Sequence, residues 1–379
     1  MTAPRALTTS TWFQRFLLPG LAFKAVVIGG GYATGRELAE FFLPSGPWGG
    51  LAGIALAMVL WSLICAATFS FAVTMGTYDY RSFFQALLGR FWVVFEVAYV
   101  LFVILILSVF GAAAGAIGAA TLGLPDVFGT VALALAIGAF ATFGNVSVER
   151  LFTYVSFLLY GVYILFVVLS FSKFGGRIGQ GFANPASASG WALGGLTYAS
   201  YNVIGAVIIL PVLRHLTGRR DAVIAGLLAG PLAMLPALLF FTCMIAFLPG
   251  IAAETLPSDF ILQQLQIPAF HLLFQTMIFA ALLESGTGAV HAINERIAGA
   301  WRRQRGSELS YRARAACAAA LLIGCIFVAG RFGLVALIGS GYRILAYTIL
   351  FVFVAPVMTV GVAKMFFRKQ SEYKLEIPA

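Results

Sequence analysis

Charged side chains are scarce in this sequence. Asp, Glu, Lys and Arg together make up 10% of its 379 residues, whereas 61% of the residues are hydrophobic. The core of a soluble protein cannot bury so large an apolar fraction. The composition therefore excludes a water-soluble domain and predicts an all-α polytopic membrane protein with spans of about 20 residues each. We expect a single transmembrane domain over residues 1–379 with short cytoplasmic tails.

Histidine and cysteine are also rare. The four cysteines lie inside apolar segments, where they act as small hydrophobic residues, and they indicate no disulfide framework. The three histidines show no spacing typical of a metal site, and no nucleophile–base pair is visible. We therefore expect neither an enzyme nor a bound metal or organic cofactor. No stretch resembles a cleavable signal peptide, so the first apolar segment is expected to direct insertion.

Charged and turn-forming residues divide the apolar sequence into about ten predicted spans. They lie at about 16–43, 48–75, 91–119, 126–144, 150–171, 191–214, 222–248, 268–300, 312–330 and 342–366. The stretch 331–341 is apolar but too short to cross a bilayer. It is interpreted either as a surface or re-entrant helix, or as the start of a long tenth span.

The basic residues predict the orientation. The net charge is +10, but the lysines and arginines cluster at span ends rather than in one patch, which indicates a lipid bilayer and no nucleic acid as partner. Most of them fall on one side when the N-terminus is placed inside, and only Lys173, Arg177 and Arg331 fall clearly outside. Both termini are expected to be cytoplasmic, in a multi-pass protein of the cell (inner or plasma) membrane.

Glycines interrupt the first span, whose centre reads GGGYATG at positions 29–35. Lipid offers no hydrogen bonds, so a span must satisfy its own backbone, and glycine loses the most backbone entropy in a helix. The pattern predicts a helix broken at the middle of the membrane, with freed backbone groups facing a cavity, as in many secondary transporters. The alternative is close helix packing through the G-x-x-x-G pair Gly31 and Gly35.

The sixth span carries a similar interruption, TYASYNVIG at positions 197–205. The first and sixth spans are corresponding members of two five-span halves that enter the membrane from opposite sides. Paired interruptions of this kind favour an inverted repeat, here about 15–172 and 190–367, with the binding site between the halves. The alternative for the sixth span is an ordinary helix with packing glycines and snorkelling polar groups.

Three motifs carry a resemblance to a known family. They are GGGYATGRELAEFF at 29–42, ESGTG at 284–288 with NER at 294–296, and FGLV at 332–335 followed by GY at 341–342. With these motifs the whole chain resembles YkvI-type membrane proteins, amino-acid permeases of the amino acid–polyamine–organocation superfamily. The resemblance implies a LeuT-like fold of five-plus-five inverted repeats and a transport function. It implies no particular solute.

The two interruptions supply the first candidate binding residues. If the second half of the first span begins near Ala33 or Thr34, its free N–H groups suit a carboxylate, and the carbonyl groups near Ile28 and Gly29 suit a cation. A zwitterion would meet both. The candidate solute-binding residues are Gly29, Gly30, Gly31, Tyr32, Ala33 and Thr34 in the first span, and Tyr198, Ser200, Tyr201 and Asn202 in the sixth.

Glu284 lies at the centre of the eighth span, where an ionisable side chain is costly and indicates function. It is expected to carry a proton or to pair with the ammonium group of a solute. The alternative is a structural hydrogen bond to one of the interrupted spans. Ser285 and Thr287 are candidate ion ligands, although residues two positions apart point to different sides of an ideal helix. The coupling ion is thus left open between H⁺ and Na⁺.

Glu37 and Arg343 are the candidate outer gate, because both lie in the outer half of their spans. Arg36 is an alternative partner for Glu37, and snorkelling to the interface is the alternative for all three.

Together these features predict a secondary transporter that moves a small organic solute, with amino acids among the candidates, by alternating access. A solute receptor without net transport and an ion channel are the alternatives. A receptor normally has a signalling domain, and a channel has a filter-like repeat, and neither is visible here. The pattern favours no particular oligomeric state.

Overall fold

The computed structural model describes residues 10–143, 146–183 and 188–367. For Gly30, 142–143 and 146–158 it describes the backbone alone. Most of the two predicted tails lies outside the described residues. No strand occurs in these ranges, and the α-helices are α1 (Leu18–Val27), α2 (Gly30–Ala33), α3 (Arg36–Phe41), α4 (Gly46–Met75), α5 (Tyr80–Leu88), α6 (Trp92–Leu122), α7 (Asp126–Phe143), α8 (Val146–Ala183), α9 (Trp191–Asn202), α10 (Gly205–Ile208), α11 (Arg219–Ile245), α12 (Pro257–Leu265), α13 (Pro268–Arg305), α14 (Tyr311–Ala336) and α15 (Tyr342–Ile349).

The helices confirm a polytopic all-α protein. By length and composition, six helical stretches within the described part of the chain could cross a membrane: Arg36–Met75, Tyr80–Leu122, Leu159–Ala183, Arg219–Ile245, Pro268–Arg305 and Tyr311–Phe367. The last of them contains the predicted ninth and tenth spans. The fourth predicted span is the shorter apolar helix α7. The first and sixth predicted spans consist of short helices because both are interrupted.

One group of packed helices contains α1, α4, α9 and α11. Small residues allow α4 and α11 to approach closely: a side chain added at Gly226 would overlap the backbone of Ala66. Pro231 inside α11 has no N–H group to donate to the carbonyl oxygen of Leu227, four residues earlier. The hydroxyl group of Ser62 on α4 donates to that oxygen instead, at 2.9 Å.

A second group contains α6, α7, α13 and α14. Gly129 on α7 lies against the backbone of Ala114, and the hydroxyl group of Thr130 donates to the carbonyl oxygen of Gly111 at 2.9 Å. Helix α8 packs on α11 and α13, whereas α15 packs on α9.

The stretch 331–341 is helical and leads directly into α15. A kink at Gly333 (φ 72°, ψ 169°) separates it from the rest of α14, and the helix then continues through a π-helical turn, Leu337–Gly341. This turn contacts α3 and α6 and buries Leu337 and Ile338. Of the two interpretations, the start of a long tenth span is therefore the one that the structure adopts.

Candidate functional site

The first span is interrupted twice. Helix α1 ends at Val27. The next residue, Ile28, has a ψ of 81° that leaves the helical region, and the short helix α2 begins at Gly30. Gly35 then takes a left-handed conformation (φ 79°) before α3 begins. The second half of the span therefore begins at Arg36, and the expected start near Ala33 or Thr34 is wrong. The reason is local: only glycine adopts φ > 0 without strain, so the chain resumes as a helix after Gly35.

Thr34 uses its polar groups within the protein. Its hydroxyl group donates to the carbonyl oxygen of Gly31 at 3.1 Å, and its own carbonyl oxygen accepts from the N–H group of Ser258 at 2.9 Å. Next to it, the guanidinium group of Arg36 donates to the carbonyl oxygens of Ala252 and Glu254, at 3.0 and 2.9 Å. The segment before and at the start of α12 is thereby held over the interruption.

Glu37 is buried at the interruption, with 3% of the residue exposed. The hydroxyl group of Tyr201 on α9 donates to its carboxylate at 2.7 Å. The carboxyl group lies directly on Gly31: a Cβ atom at that position would overlap it. The first and sixth spans thus meet through a carboxylate that the sequence assigns to a gate.

The predicted pairing of Glu37 with Arg343 is wrong. Arg343 pairs with Glu40, with 3.7 Å between the nearest nitrogen and oxygen atoms. Arg36 also pairs with Glu40, at 3.0 Å, and not with Glu37. Glu40 lies one turn further along α3, where the half-exposed Arg343 side chain can reach it, whereas Glu37 points inward to Tyr201.

Tyr201, which binds this carboxylate, belongs to a group of packed aromatic side chains. The ring of Tyr198 contacts those of Phe42 (4.9 Å between centroids) and Trp61 (5.5 Å), and the ring of Tyr201 contacts that of Tyr342 (4.5 Å). Trp61 also donates from its indole nitrogen to the carbonyl oxygen of Ala199, at 3.1 Å. We call Glu37 and the five aromatic residues Phe42, Trp61, Tyr198, Tyr201 and Tyr342 the break cluster. Sequence reasoning identified Tyr198 and Tyr201 but not the other three, since nothing local distinguishes them from ordinary packing residues.

Two other predicted residues of the sixth span bond within their own helix. The hydroxyl group of Ser200 donates to the carbonyl oxygen of Leu196 at 2.7 Å. The side-chain amide group of Asn202 donates to the carbonyl oxygen of Tyr198 at 3.3 Å. The hydroxyl group of Tyr198 itself is fully buried and has no hydrogen-bond partner among the described residues.

A cavity of about 600 Å³ lies on the other side of the interruption, between the two helix groups. It is lined from α1 by Ala25, Val26 and Ile28, from α6 by Tyr99 and Phe110, from α8 by Tyr160, and from α13 by the stretch between Ala281 and Ala292. This size is within the usual range for small-molecule sites. The predicted residues therefore fall into two places: Glu284, Ser285 and Thr287 line the cavity, whereas Tyr198, Ser200, Tyr201 and Asn202 do not.

The predicted ion-coupling residues share the cavity wall. Glu284 is half-buried there and lies close enough to Tyr160 to interact with it electrostatically. The hydroxyl group of Thr287 donates to the carbonyl oxygen of Leu283 at 2.7 Å, which leaves its lone pairs available. Ser285 and Thr287 both line the cavity although they were expected to point to different sides, because the cavity covers a broad face of α13.

Cations stack on aromatic rings that line the cavity. The Lys24 ammonium group lies 3.9 Å above the centroid of the Tyr160 ring. The guanidinium group of Arg296 lies 3.5 Å from the ring centroids of both Tyr80 and Tyr99, and 3.0 Å from a carboxylate oxygen of Glu96. The sequence shows Arg296 as part of a motif but provides no signal for this stack, because its partners come from other helices.

Comparison with known proteins agrees with this architecture. No protein-family model matches the chain. The chain is similar to the uncharacterized membrane protein YkvI of Bacillus subtilis (strain 168), with 27% identity over 291 residues that cover 73% of this chain and 80% of the relative. The resemblance to YkvI-type membrane proteins is thereby confirmed.

Solved structures of transporters share the fold. MhsT in complex with L-phenylalanine matches with a TM-score of 0.57 and 15% identity over 96% of this chain and 98% of that chain. A variant of the manganese transporter of Eremococcus coleocola matches with a TM-score of 0.58 and 14% identity, over 94% of this chain and 81% of that chain. A Na⁺-coupled sialic acid symporter matches with a TM-score of 0.57 and 14% identity, over 90% of this chain and 78% of that chain. The fold is LeuT-like, as expected from the motifs.

Proposed function

We propose that this protein is a secondary active transporter that moves a small organic solute across a membrane by alternating access. The observation that carries the proposal is a cavity that opens toward one half of the molecule and ends at the interrupted first span, while the break cluster closes the other half. An interruption between a closed and an open half is the arrangement that alternating access requires. The transporters among the solved structures support the same class.

The orientation follows from the basic residues. Arg219 lies at the start of α11, Arg302 in the last turn of α13 and Arg314 in the first turn of α14, and the sequence predicts that these helix ends lie on the side with most lysines and arginines. Cytoplasmic loops of membrane proteins carry an excess of lysine and arginine. In this proposal the cavity therefore faces the cytoplasm, and both termini are cytoplasmic. The protein is located in the cell membrane. The proposal includes inverted repeats over about 15–172 and 190–367, in which the first and sixth spans would be equivalent members of the two halves.

The site has two parts in this proposal. Gly29 to Thr34 and the break cluster hold one end of the solute, and the cavity holds its body. Glu284 couples transport to H⁺, or together with Ser285 and Thr287 to Na⁺, as the depth of a carboxylate within the membrane suggests. One of the structural neighbours is Na⁺-coupled, which supports testing both ions.

The test is uptake by the purified full chain in liposomes. Candidate amines and amino acids are first screened by thermal shift at two pH values and two Na⁺ concentrations. Each stabilising compound is then tested for counterflow and for accumulation driven by a pH or Na⁺ gradient. Accumulation of a stabilising compound supports the proposal. Binding without exchange would instead identify a solute receptor, and a solute-independent ion current would identify a channel.

A further inference from the structure

The interruption of the first span contains a carboxylate of the protein itself. The carboxyl group of Glu37 occupies the space above Gly31, where a Cβ atom could not be placed without moving it. This is the segment that was expected to receive the carboxylate of a zwitterionic solute. A second carboxylate cannot occupy the same space, and like charges in a buried site repel each other strongly.

Glu37 has only neutral partners among the described residues. Its carboxylate accepts a hydrogen bond from Tyr201. No lysine, arginine or histidine nitrogen of the described residues lies within 4.0 Å of it, and the neighbouring Arg36 points to Glu40 and to two carbonyl oxygens. A buried carboxylate without a cation is costly, so the cluster favours a positively charged ligand.

One polar group of the break cluster has no hydrogen-bond partner among the described residues. The hydroxyl group of Tyr198 is fully buried and makes no hydrogen bond within the described part of the chain. The ring of Tyr198 lies 5.8 Å (between centroids) from the ring of Tyr201, whose hydroxyl group binds Glu37. Buried hydroxyl groups are almost always hydrogen-bonded, so an unpaired hydroxyl group in the same cluster as a carboxylate that lacks a cation indicates a missing ligand atom. An ammonium group can donate to both oxygens.

The cavity reaches the start of the same interruption. Ile28 lines the cavity, and Phe110 both lines it and lies 3.1 Å from the place that a Cβ atom at Gly29 would occupy. The wall continues with the aromatic side chains of Phe102, Phe140 and Tyr160. Aromatic walls suit an apolar or aromatic body and attract organic cations through their ring faces.

From these contacts we propose that the solute is an organic amine without a carboxylate group next to its nitrogen, with an ammonium group that binds Glu37 and Tyr198 and an apolar body that lies in the cavity. The proposal rests on the transport function inferred above. It makes Glu37 a solute-binding residue, and it selects amines over amino acids.

The experiment compares amino acids with the amines that differ from them by the carboxylate alone. The pairs are L-phenylalanine and phenethylamine, L-tyrosine and tyramine, and L-leucine and isoamylamine, with 3-phenylpropionate as a carboxylate without an ammonium group. Binding to the purified full chain is measured by calorimetry. We expect at least one amine to bind about tenfold or more tightly than its parent amino acid, a difference of about 1.4 kcal/mol.

Variants test the role of Glu37. Glu37→Gln keeps the shape and the hydrogen bond from Tyr201 but removes the charge, and it should weaken amine binding about tenfold or more. Glu254→Gln is the matched control, because the Glu254 side chain makes no ion pair or hydrogen bond in the described structure, and it should leave amine binding unchanged. If Glu37→Gln does not fold, Gly31→Ala retains the charge but displaces the carboxyl group, and the same loss is expected.

Tighter binding of the amino acid in every pair, or binding of 3-phenylpropionate, would overturn the inference. So would amine binding that survives both Glu37→Gln and Gly31→Ala in folded protein. None of these results would affect the proposed transport function, because counterflow of whichever compound binds is measured separately.

Discussion

The two halves of this molecule differ in how they are filled. In the closed half, aromatic rings, the buried Glu37 and the segment around Ser258 pack against α3 and the interruption. In the open half, the same two groups of helices diverge around a cavity of about 600 Å³. In the proposed alternating-access cycle, this structure is the conformation with one half closed and the other half open. The contacts that close the first half are then the ones that must separate when the cavity opens to the other side.

The contacts that hold the two halves also differ in kind. The closed half is held by hydrogen bonds to the backbone around the interruption and by the ion pairs of Glu40. The open half is held at its edge by a bidentate ion pair, in which Arg15 donates two hydrogen bonds of 2.7 Å to Asp221. This pair connects the segment before α1 to the start of α11 and leaves the cavity wall unaffected.

The largest expected difference is in chemical accessibility. In a variant without the four native cysteines, Ala289→Cys lies in the cavity wall, whereas Ala39→Cys lies in the closed half, with 2% exposure in the parent protein. A membrane-impermeant thiol reagent applied from the cytoplasmic side should label position 289 and leave position 39 unlabelled. Labelling of position 289 only from the external side would contradict the orientation, and equal labelling of both positions would contradict the assignment of the halves.

Adding one methyl group should lower solute affinity in the closed half and leave it nearly unchanged in the open half. Gly31→Ala forces the Glu37 carboxyl group to move, so solute affinity should fall about tenfold or more. Gly288→Ala places a methyl group in the cavity wall with no atom within 4 Å, so stability should be retained and affinity should change little. Thermal unfolding and calorimetric binding measure both. Equal losses of affinity would mean that Glu37 plays no special part in binding.

Glu284 provides the corresponding test in the open half. Glu284→Gln cannot ionise, so pH-driven accumulation should disappear while solute exchange survives if this residue carries the proton. If Glu284 pairs with the ammonium group instead, affinity should fall by roughly 1.5–3 kcal/mol. Uptake at several pH values and calorimetry separate the two roles. Unchanged affinity together with unchanged pH dependence would show that Glu284 is a structural residue.

The smallest effect is expected at the ion pair of Glu40 and Arg343 in the closed half. Because 55% of the Arg343 side chain is exposed and the pair is 3.7 Å apart, its coupling energy should be about 0.2–1 kcal/mol. A double-mutant cycle with Glu40→Gln and Arg343→Gln, read from thermal stability and uptake, measures it. The same cycle with Glu37 in place of Glu40 should give additive effects, and a larger coupling there would restore the originally predicted gate.

The sequence alone predicts much of this architecture because the membrane imposes strict local rules. Apolar length and basic span ends predict the helices, and these rules need no knowledge of tertiary contacts. The glycines at 29–35 predict an interruption because they weaken a helix wherever it packs. The sixth span was harder to predict. Val203 and Ile204 keep nearly helical backbone angles. The α-helix is replaced there by turns in which the N–H groups of Ala206 and Val207 donate to the carbonyl oxygens three residues earlier, those of Val203 and Ile204.

What the sequence by itself determined is that this chain is an all-α membrane protein with a LeuT-like interruption and a carboxylate deep in its eighth span. Only the tertiary structure decided which carboxylate lies at the interruption. Glu37 and Glu40 are one turn apart on a helix of six residues, and the side to which each points depends on Tyr201 and Arg343, far away in sequence. Local patterns specify helices, whereas the rotation of a short helix is set by the residues that pack against it.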